Sequence, residues 1–248
     1  SDLVRMPKYS RREAFAEAGK NMDDYLEMKA LDPMYRLRYA DGRDFMVYFE
    51  KEKLLKEIRR VFPREESGYL AYLEAHKSKF DRLYQCLTIP YTRWYHLLRK
   101  KLLNALPIVG IGESVHDVLS KFFKDEDFKI AMAFQAKYLG MSPWKCPGGF
   151  SILSYVEHAE GVHHPMGGVH KISEAFATAA EEEGAQITLE TGVKEILFKD
   201  KRAIGVKLEN NKVIHADYVV MNADFAHGMS QLIPDEKRTK YSDRKLDQ

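Results

Sequence analysis

The sequence predicts an α+β fold, in which a mainly helical region with a small β-hairpin is followed by a β-meander. Apolar residues recur at helical spacing along most of the chain from residue 7 to about residue 180. From residue 184 onward, short apolar runs separated by turn residues indicate strands instead. Because the helices and strands are grouped and do not alternate, the pattern argues against a series of βαβ units.

The individual elements follow from local signals. An S-x-x-E capping box at residues 10–13 begins the first helix, which is predicted to end at Gly19. Residues 34–39 and 44–49 carry alternating apolar side chains around Asp41 and Gly42, which predicts a hairpin. Further helices are predicted over 51–61, 63–86, 92–103, 114–121, 125–138 and 169–183. Strands are predicted over 184–189, 193–199, 203–209, 212–215 and 217–221, the last of them buried.

The composition is that of an ordinary globular protein. Hydrophobic residues make up 45% and charged residues 31% of the 248 residues, and the formal net charge of +2 gives no reason to expect nucleic-acid binding. The two cysteines, Cys86 and Cys146, lack metal-ligand spacing, and this usage is typical of a reducing compartment. The most apolar stretch, residues 102–111, is too short to cross a bilayer. These features predict a cytoplasmic location.

One amphipathic stretch leaves peripheral attachment to a membrane open. Trp94 and several leucines lie close to the basic residues Arg99, Lys100 and Lys101. Aromatic and basic residues together suit the surface of an anionic membrane. A packed helix with a charged outer face has the same pattern, so both interpretations stand.

The most informative part of the chain lies between residues 138 and 224. Glycine- and proline-rich motifs follow one another at 138–143, 147–151, 160–168, 184–185 and 221–224. The third motif reads Glu-Gly-Val-His-His-Pro-Met-Gly-Gly, and the last reads Met-Asn-Ala-Asp. In order and spacing these motifs resemble the phytoene desaturase (carotenoid desaturase) family of FAD-dependent, amine-oxidase-like flavoproteins. The resemblance covers nearly the whole chain.

Two glycine-rich segments of that family have no counterpart here. One is the Gly-x-Gly-x-x-Gly turn that places the cofactor pyrophosphate at a helix N-terminus. Gly110 and Gly112 come nearest, but Val115 stands where the third glycine is required. The other is the C-terminal flavin segment. The sequence therefore resembles an internal portion of such a protein, and we expect this chain alone to retain no FAD.

The resemblance implies a division of the chain and an activity. Residues 1–165 correspond to a helical substrate-binding region, 166–228 to a partial FAD-binding domain whose meander belongs to the flavin-domain sheet, and 229–248 to the start of a following segment. The implied reaction is FAD-dependent dehydrogenation of CH–CH bonds in a long apolar isoprenoid such as phytoene, in carotenoid biosynthesis. The alternatives are an amine-oxidase-like or protoporphyrinogen-oxidase-like enzyme and a non-catalytic domain that binds an apolar ligand or a membrane.

The resemblance also suggests cofactor-binding residues, which are Gly167, Gly168, Val193, Asn222, Ala223 and Asp224. The two glycines lack a Cβ and can let the backbone approach the flavin ring. Val193 corresponds to a valine whose main chain meets the adenine, and the last three residues follow a predicted strand, where cofactor crevices form. A turn, a strand core position and a helix cap at Asp224 are the structural alternatives.

Asp125 and Lys129 are the candidates for acid–base catalysis, although acidic residues at a helix start also favour the helix dipole. The candidate substrate contacts are Phe134, Tyr138, His163 and His164, because aromatic side chains suit an apolar tunnel and the histidines precede the glycine turn. Adjacent histidines do not share one face, and no cysteine or carboxylate completes a ligand set, so no metal site is predicted. His158 is interpreted as an ordinary helix residue.

Overall fold

The computed structural model describes residues 8–87, 92–100, 102, 110, 112–238 and 241–246. The chain divides into two compact units, Ser1–Glu183 and Gly184–Gln248. Helices dominate the first unit and a three-stranded meander lies in the second, which confirms the α+β class. The predicted functional division differs, because it assigns the helix before Glu183 to the flavin domain. That division stays a prediction.

Helices form most of the first unit. They are α1 Lys8–Glu17, α2 Lys51–Val61, α3 Glu66–Leu87, α4 Val115–Ser120, α5 Glu126–Met132, α6 Ile152–Glu160 and α7 His170–Glu182. Short 3-10 helices span Met22–Asp24, Trp94–Leu98, Phe134–Leu139 and Gly148–Ser151. The bounds predicted for α2 are confirmed, and α1 ends just before Gly19, whose φ of +68° suits a helix terminator.

Three helix predictions need correction. The first helix begins at Lys8, so the start predicted at the capping box of residues 10–13 is wrong. The helix predicted over 125–138 ends at Met132, and the chain continues as a 3-10 helix that buries Gln135 and Ala136. Tertiary packing of these two side chains overrides the helical spacing that the sequence shows. Of the helix predicted over 92–103, the described part is the 3-10 helix Trp94–Leu98, while Lys101 and Leu103 lie outside the described residues.

The predicted hairpin is confirmed. Strand β2, Tyr35–Arg38, pairs antiparallel with β3, Asp44–Val47. Gly42 closes the turn with a φ of +88°, and the Asp41 side chain accepts a hydrogen bond from the backbone N–H of Arg43 at 3.0 Å. The turn therefore forms at Asp41 and Gly42, the two residues that predict it in the sequence.

A second two-stranded sheet was not predicted. Strand β1, Met28–Ala30, pairs antiparallel with β4, His163–Pro165, so segments more than 130 residues apart in sequence meet. Both strands have three residues, and each is too short to show a pattern of alternation. This pairing fixes the strand that leads into the Gly167–Gly168 turn.

An aromatic cluster fills the core of the first unit. Phe128 is fully buried, and its ring centroid lies 5.0 Å from that of Phe62 and 4.9 Å from that of Phe123. Phe45 of the hairpin packs on the same group at 5.3 Å from Phe62. The hairpin, α2 and α5 are therefore held against one another by aromatic contacts.

The second unit is built on the predicted meander. Strands β5 Val193–Lys199, β6 Arg202–Leu208 and β7 Val213–His215 pair in sequence order. The turns contain Asp200 and Asn211, which have φ of 56° and 65°. Helices α8, Phe225–Leu232, and α9, Asp243–Leu246, follow, with the 3-10 helix Asp235–Lys237 between them. Asp and Asn tolerate positive φ, so the turn residues again decide the connections.

Two predicted strands in this unit are wrong. Residues 184–189 and 217–221 form no strand, and the segment 217–221 is not buried, since Tyr218 is 86% and Val220 is 88% exposed. Leu189 is likewise 79% exposed. A strand requires a neighbour to receive its backbone hydrogen bonds, and the described residues supply none to either segment. The composition of a segment does not show whether a neighbouring strand is present.

No helix in the described ranges is both long and apolar enough to cross a membrane. The longest, α3, is amphipathic, because Tyr69 and Tyr72 face the interior whereas Leu70 and Lys77 are exposed. Residues 103–109, which hold most of the apolar stretch noted above, lie outside the described residues.

Candidate functional site

The glycine turn after β4 requires glycine at two consecutive positions. Gly167 and Gly168 have φ of +86° and +104°, a region that L side chains rarely adopt. The Gly168 N–H donates to the Pro165 carbonyl at 3.0 Å, and the Gly168 carbonyl accepts from the Lys171 N–H at 3.1 Å. A Cβ on Gly168 would lie 3.2 Å from His170 Nδ1. The turn thus leads directly into α7, and the cofactor role of the two glycines stays a prediction.

The candidate substrate residues lie on two elements of the first unit. Phe134 and Tyr138 belong to the same 3-10 helix, and their ring centroids are 6.2 Å apart. Phe134 also stacks on Tyr35 of the hairpin at 5.3 Å. His163 and His164 lie on β4 opposite Ala30 and Lys29, and successive side chains of a strand point to opposite faces. The two histidines are therefore not equivalent, and at most one of them faces a given ligand.

Asp125 and Lys129 both have structural roles. The Asp125 carboxylate caps α5 by accepting from the Phe128 N–H at 3.1 Å. The Lys129 Nζ donates to Glu126 Oε1 at 2.7 Å, and this contact lowers the pKa of Glu126. His116 Nε2 lies 2.9 Å from the other oxygen of the same carboxylate. Catalytic roles for Asp125 and Lys129 stay predictions beside these structural ones.

Replacing Asp125 separates the two roles. We expect Asp125→Ala to lower the free energy of unfolding by about 1 kcal/mol through loss of the helix cap, whereas Asp125→Asn, which can still cap, costs less. Urea denaturation of this chain measures both. In the full-length protein, Asn cannot exchange a proton as a carboxylate does, so a large fall in turnover for Asp125→Asn with unchanged stability would identify a catalytic carboxylate.

An open pocket of about 620 Å³ lies in the second unit. Its lining includes three of the predicted cofactor residues, Val193, Asn222 and Ala223. The remaining lining residues are Lys194, Ile196, Val206, Glu209, Val219, Val220, Met221, His227, Gly228, Gln231 and Leu232. Asp224 instead caps α8, its carboxylate accepting from the His227 N–H at 2.9 Å. The structure therefore shows the helix-cap alternative for Asp224. Val193, Asn222 and Ala223 share one cavity.

Comparison with known proteins identifies the family. Residues 4–243 match the sequence profile described as flavin containing amine oxidoreductase. The chain belongs to this family. Since its members contain a flavin, the expected cofactor of the whole protein, FAD, is confirmed at the level of the family.

Named relatives confirm the resemblance to the phytoene desaturases. The chain is 38% identical over 236 residues to a 4,4'-diapophytoene desaturase (4,4'-diapolycopene-forming) from Methylomonas sp, an alignment covering 95% of this chain and 46% of the relative. It is 31% identical over 245 residues to a zeta-carotene-forming phytoene desaturase from Myxococcus xanthus, covering 98% of this chain and 47% of the relative. The chain spans about half the length of the curated relatives it matches. An oxidoreductase of known structure from Methanosarcina mazei aligns at 22% identity with a TM-score of 0.43, over 64% of this chain and 40% of that one.

The residues of the second unit fit part of a flavin cofactor. The pocket has a volume within the range of roughly 300–1,000 Å³ that is usual for ligand sites. Its walls are mainly aliphatic, and Asn222 adds an amide with both donor and acceptor atoms. Residues 218–221, which include three of the lining residues, belong to no sheet of the described chain. The described part of this family member thus offers a cavity with mainly aliphatic walls and one amide, and its role in binding the cofactor stays a prediction.

Sequence reasoning missed a buried polar cluster between α3 and α6. Tyr69 Oη lies 2.9 Å from His158 Nδ1. One turn along α3, Tyr72 Oη donates to the Ser151 carbonyl at 2.7 Å, and His76 Nε2 lies 3.0 Å from Ser151 Oγ. Desolvation lowers the pKa of both histidines to about 4. His158 is therefore not an ordinary helix residue, and no pattern within its own helix indicates this, because its partner Tyr69 lies on α3.

Proposed function

We propose that the full-length protein is an FAD-dependent oxidoreductase that dehydrogenates CH–CH bonds of a long apolar isoprenoid, as a carotenoid desaturase does. The observation that carries this proposal is the 38% identity to the diapophytoene desaturase over 95% of the chain. Phytoene or a related carotenoid precursor is the substrate we infer, because the other relatives are named for phytoene and zeta-carotene. The reaction belongs to carotenoid biosynthesis.

The part of the mechanism that this chain supplies is mainly positioning. Bound flavin contributes the capacity to accept a hydride. Val193 and Asn222 would hold part of the cofactor in their pocket, and the Gly167–Gly168 turn would offer a main chain without side chains for close approach. Phe134 and Tyr138 give an apolar substrate aromatic faces to pack against. A hydrocarbon offers no polar group to bind, so shape and apolar contact decide its placement.

The test uses the purified full-length protein. Its absorbance spectrum reports bound flavin, and incubation with detergent-dispersed phytoene or 4,4'-diapophytoene reports dehydrogenation, because each added double bond lengthens the polyene and shifts its absorbance to longer wavelength. A flavin-containing protein that leaves both compounds unchanged would contradict the proposed substrate class. A protein without flavin would contradict the proposed chemistry altogether.

Gly168→Val should lower flavin content or turnover of the full-length protein by at least tenfold. A Cβ there meets His170, and the φ of +104° is unfavourable for a β-branched residue. Gly19→Val is the matched control, because Gly19 also has positive φ, of +68°, but nothing lies within 4 Å of its Cβ position. Equal flavin content and turnover in the two variants would show that Gly168 serves the turn alone.

We further propose that the full-length protein works in the cytoplasm at a membrane surface, because an apolar isoprenoid dissolves in lipid and not in water. The stretch from Trp94 to Lys101 is one candidate for the attachment. Tyr95 and Leu98 are 46% and 60% exposed, which supports that interpretation. The side chain of Trp94 and the whole of Lys101 lie outside the described residues, so their part in it stays a prediction.

A further inference from the structure

A second surface has the character of a membrane contact. The segment 137–145, here called the exposed loop, is exposed at every position except Pro143, which is half-buried. It carries four large apolar or aromatic side chains on the surface of the first unit. They are Tyr138, Leu139, Met141 and Trp144, with exposed fractions of 46%, 41%, 37% and 54%. Single exposed apolar residues are common, but four within seven consecutive positions are not.

Buried residues hold both ends of the exposed loop. Ala136 before it is 4% exposed, and Cys146 after it is fully buried. Inside the loop, the Met141 N–H donates to the Ala136 carbonyl at 3.3 Å, and the Cys146 N–H donates to the Ser142 carbonyl at 2.8 Å. Backbone groups that are already paired do not lose hydrogen bonds to water when the loop enters an apolar interface. The ordered backbone also lowers the entropy that docking costs.

Trp144 is held in its exposed position by a stacking contact. Its ring centroid lies 5.0 Å from that of His116, with 25° between the planes. His116 is itself fixed, because its Nε2 lies 2.9 Å from Glu126 Oε2. More than half of the tryptophan surface nevertheless remains open. Trp144 is therefore an exposed side chain whose position is already fixed before any partner binds.

The charges of the exposed loop select the partner. Lys137 and Lys145 are both exposed and stand at its two ends, and no acidic residue occurs between them. The Lys137 Nζ lies 3.2 Å from the centroid of the Phe134 ring, a cation–π contact that fixes this charge at the N-terminal end of the exposed loop. Tryptophan, tyrosine and lysine together are the residues that favour the boundary between lipid headgroups and acyl chains.

We propose that the exposed loop docks on the surface of an anionic membrane, with Trp144 and Met141 entering the headgroup boundary and the two lysines contacting lipid phosphates. The proposal deepens the proposed function, since it gives an enzyme for an apolar isoprenoid a route to the bilayer that holds its substrate. It is independent of the stretch around Trp94, which is remote in sequence. The attachment is peripheral.

The test measures vesicle binding of the full-length protein by co-sedimentation. The vesicles contain phosphatidylcholine alone or phosphatidylcholine with phosphatidylglycerol. We expect binding to the anionic vesicles, a loss of tenfold or more for Trp144→Ser combined with Met141→Ser, and a loss of about 30-fold for Lys137→Gln combined with Lys145→Gln. The second figure corresponds to roughly 1 kcal/mol per basic residue near a charged surface. High salt should remove the difference caused by the lysines.

Matched controls come from other exposed positions of the first unit. Leu70→Ser removes an apolar side chain of 37% exposure from α3, and Lys51→Gln with Lys77→Gln removes two exposed charges. These variants should bind vesicles as the wild type does. Wild-type protein that fails to bind anionic vesicles, or loop variants that bind as well as the controls, would overturn the proposal.

Two further measurements keep this proposal separate from the proposed function. Flavin content and thermal unfolding of each variant report whether it is folded. Turnover of detergent-dispersed isoprenoid reports catalysis without a membrane. Loop variants with unchanged vesicle binding and lower turnover in detergent would assign the exposed loop to the substrate site and overturn the docking proposal, whereas wild-type protein inactive in detergent but bound to vesicles would contradict the proposed function alone.

Discussion

Acid should unfold the first unit between about pH 6.5 and pH 4, and replacement of His76 and His158 should remove most of this sensitivity. Both side chains are buried, and desolvation lowers their pKa from 6.5 to about 4. The nearby Lys79 charge contributes at His76. In this range the unfolded chain binds two protons that the folded chain does not, so the free energy of unfolding falls as the pH falls.

The size of this effect follows from the two pKa values. Lowering the pKa of a histidine from 6.5 to about 4 corresponds to roughly 3 kcal/mol of stability, fully present above pH 6.5 and lost as the pH approaches 4. A typical domain has only about 5–15 kcal/mol in total. Two such histidines therefore suffice to bring the first unit close to unfolding in mild acid.

Urea denaturation of this chain at a series of pH values, followed by circular dichroism, measures the effect. We expect His76→Asn with His158→Asn to flatten the curve of unfolding free energy against pH, although its value at neutral pH falls because the hydrogen bonds to Tyr69 and Ser151 change. His170→Asn is the control, because the His170 side chain is 63% exposed. A double variant with the pH dependence of the wild type would show that other groups govern acid unfolding.

Removing the Phe128 ring should cost about 3–5 kcal/mol, the usual range for phenylalanine to alanine in a core. Phe128 is fully buried and touches the rings of Phe45, Phe62 and Phe123. Its loss leaves a cavity where the hairpin, α2 and α5 meet, and rings fixed from three directions cannot collapse to fill it.

The same helix provides the control for this prediction. Ile130, two residues along α5, is 47% exposed, so Ile130→Ala should cost less than about 1 kcal/mol. Urea midpoints of the two variants and the wild type, with the slope m determined for each, give the comparison. A Phe128→Ala variant that is no less stable than Ile130→Ala would mean that the aromatic cluster does not hold these elements together.

The elements predicted correctly are those whose signals are local. The hairpin depended on Asp41 and Gly42, the meander on turns at Asp200 and Asn211, and α2 on uninterrupted helical spacing. Each of these segments settles its own conformation through side chains a few residues apart. The candidate site was predictable to the same extent, since the glycine turn and the helix caps at Asp125 and Asp224 are also local.

The errors concern partners that lie far away in sequence. Residues 184–189 and 217–221 have strand composition, but no strand lies beside them in the described chain. Conversely, no sequence pattern predicts that β1 pairs with β4. Likewise, His158 looked ordinary because nothing in its own helix shows that Tyr69 lies 2.9 Å away. A hydrogen bond across the core depends on where another helix lies, which short-range spacing does not encode.

By itself, then, the sequence determined the α+β class, the family resemblance, the hairpin, the meander and the glycine turn. These follow from turn chemistry, periodicity and motif order, which act within a few residues or are read directly from the chain. Tertiary structure alone decided that Val193, Asn222 and Ala223 share a pocket, that His76 and His158 are desolvated, and that Trp144 is exposed. Burial and cavity shape depend on contacts between distant segments, because each of them is a property of how elements pack and not of any one element.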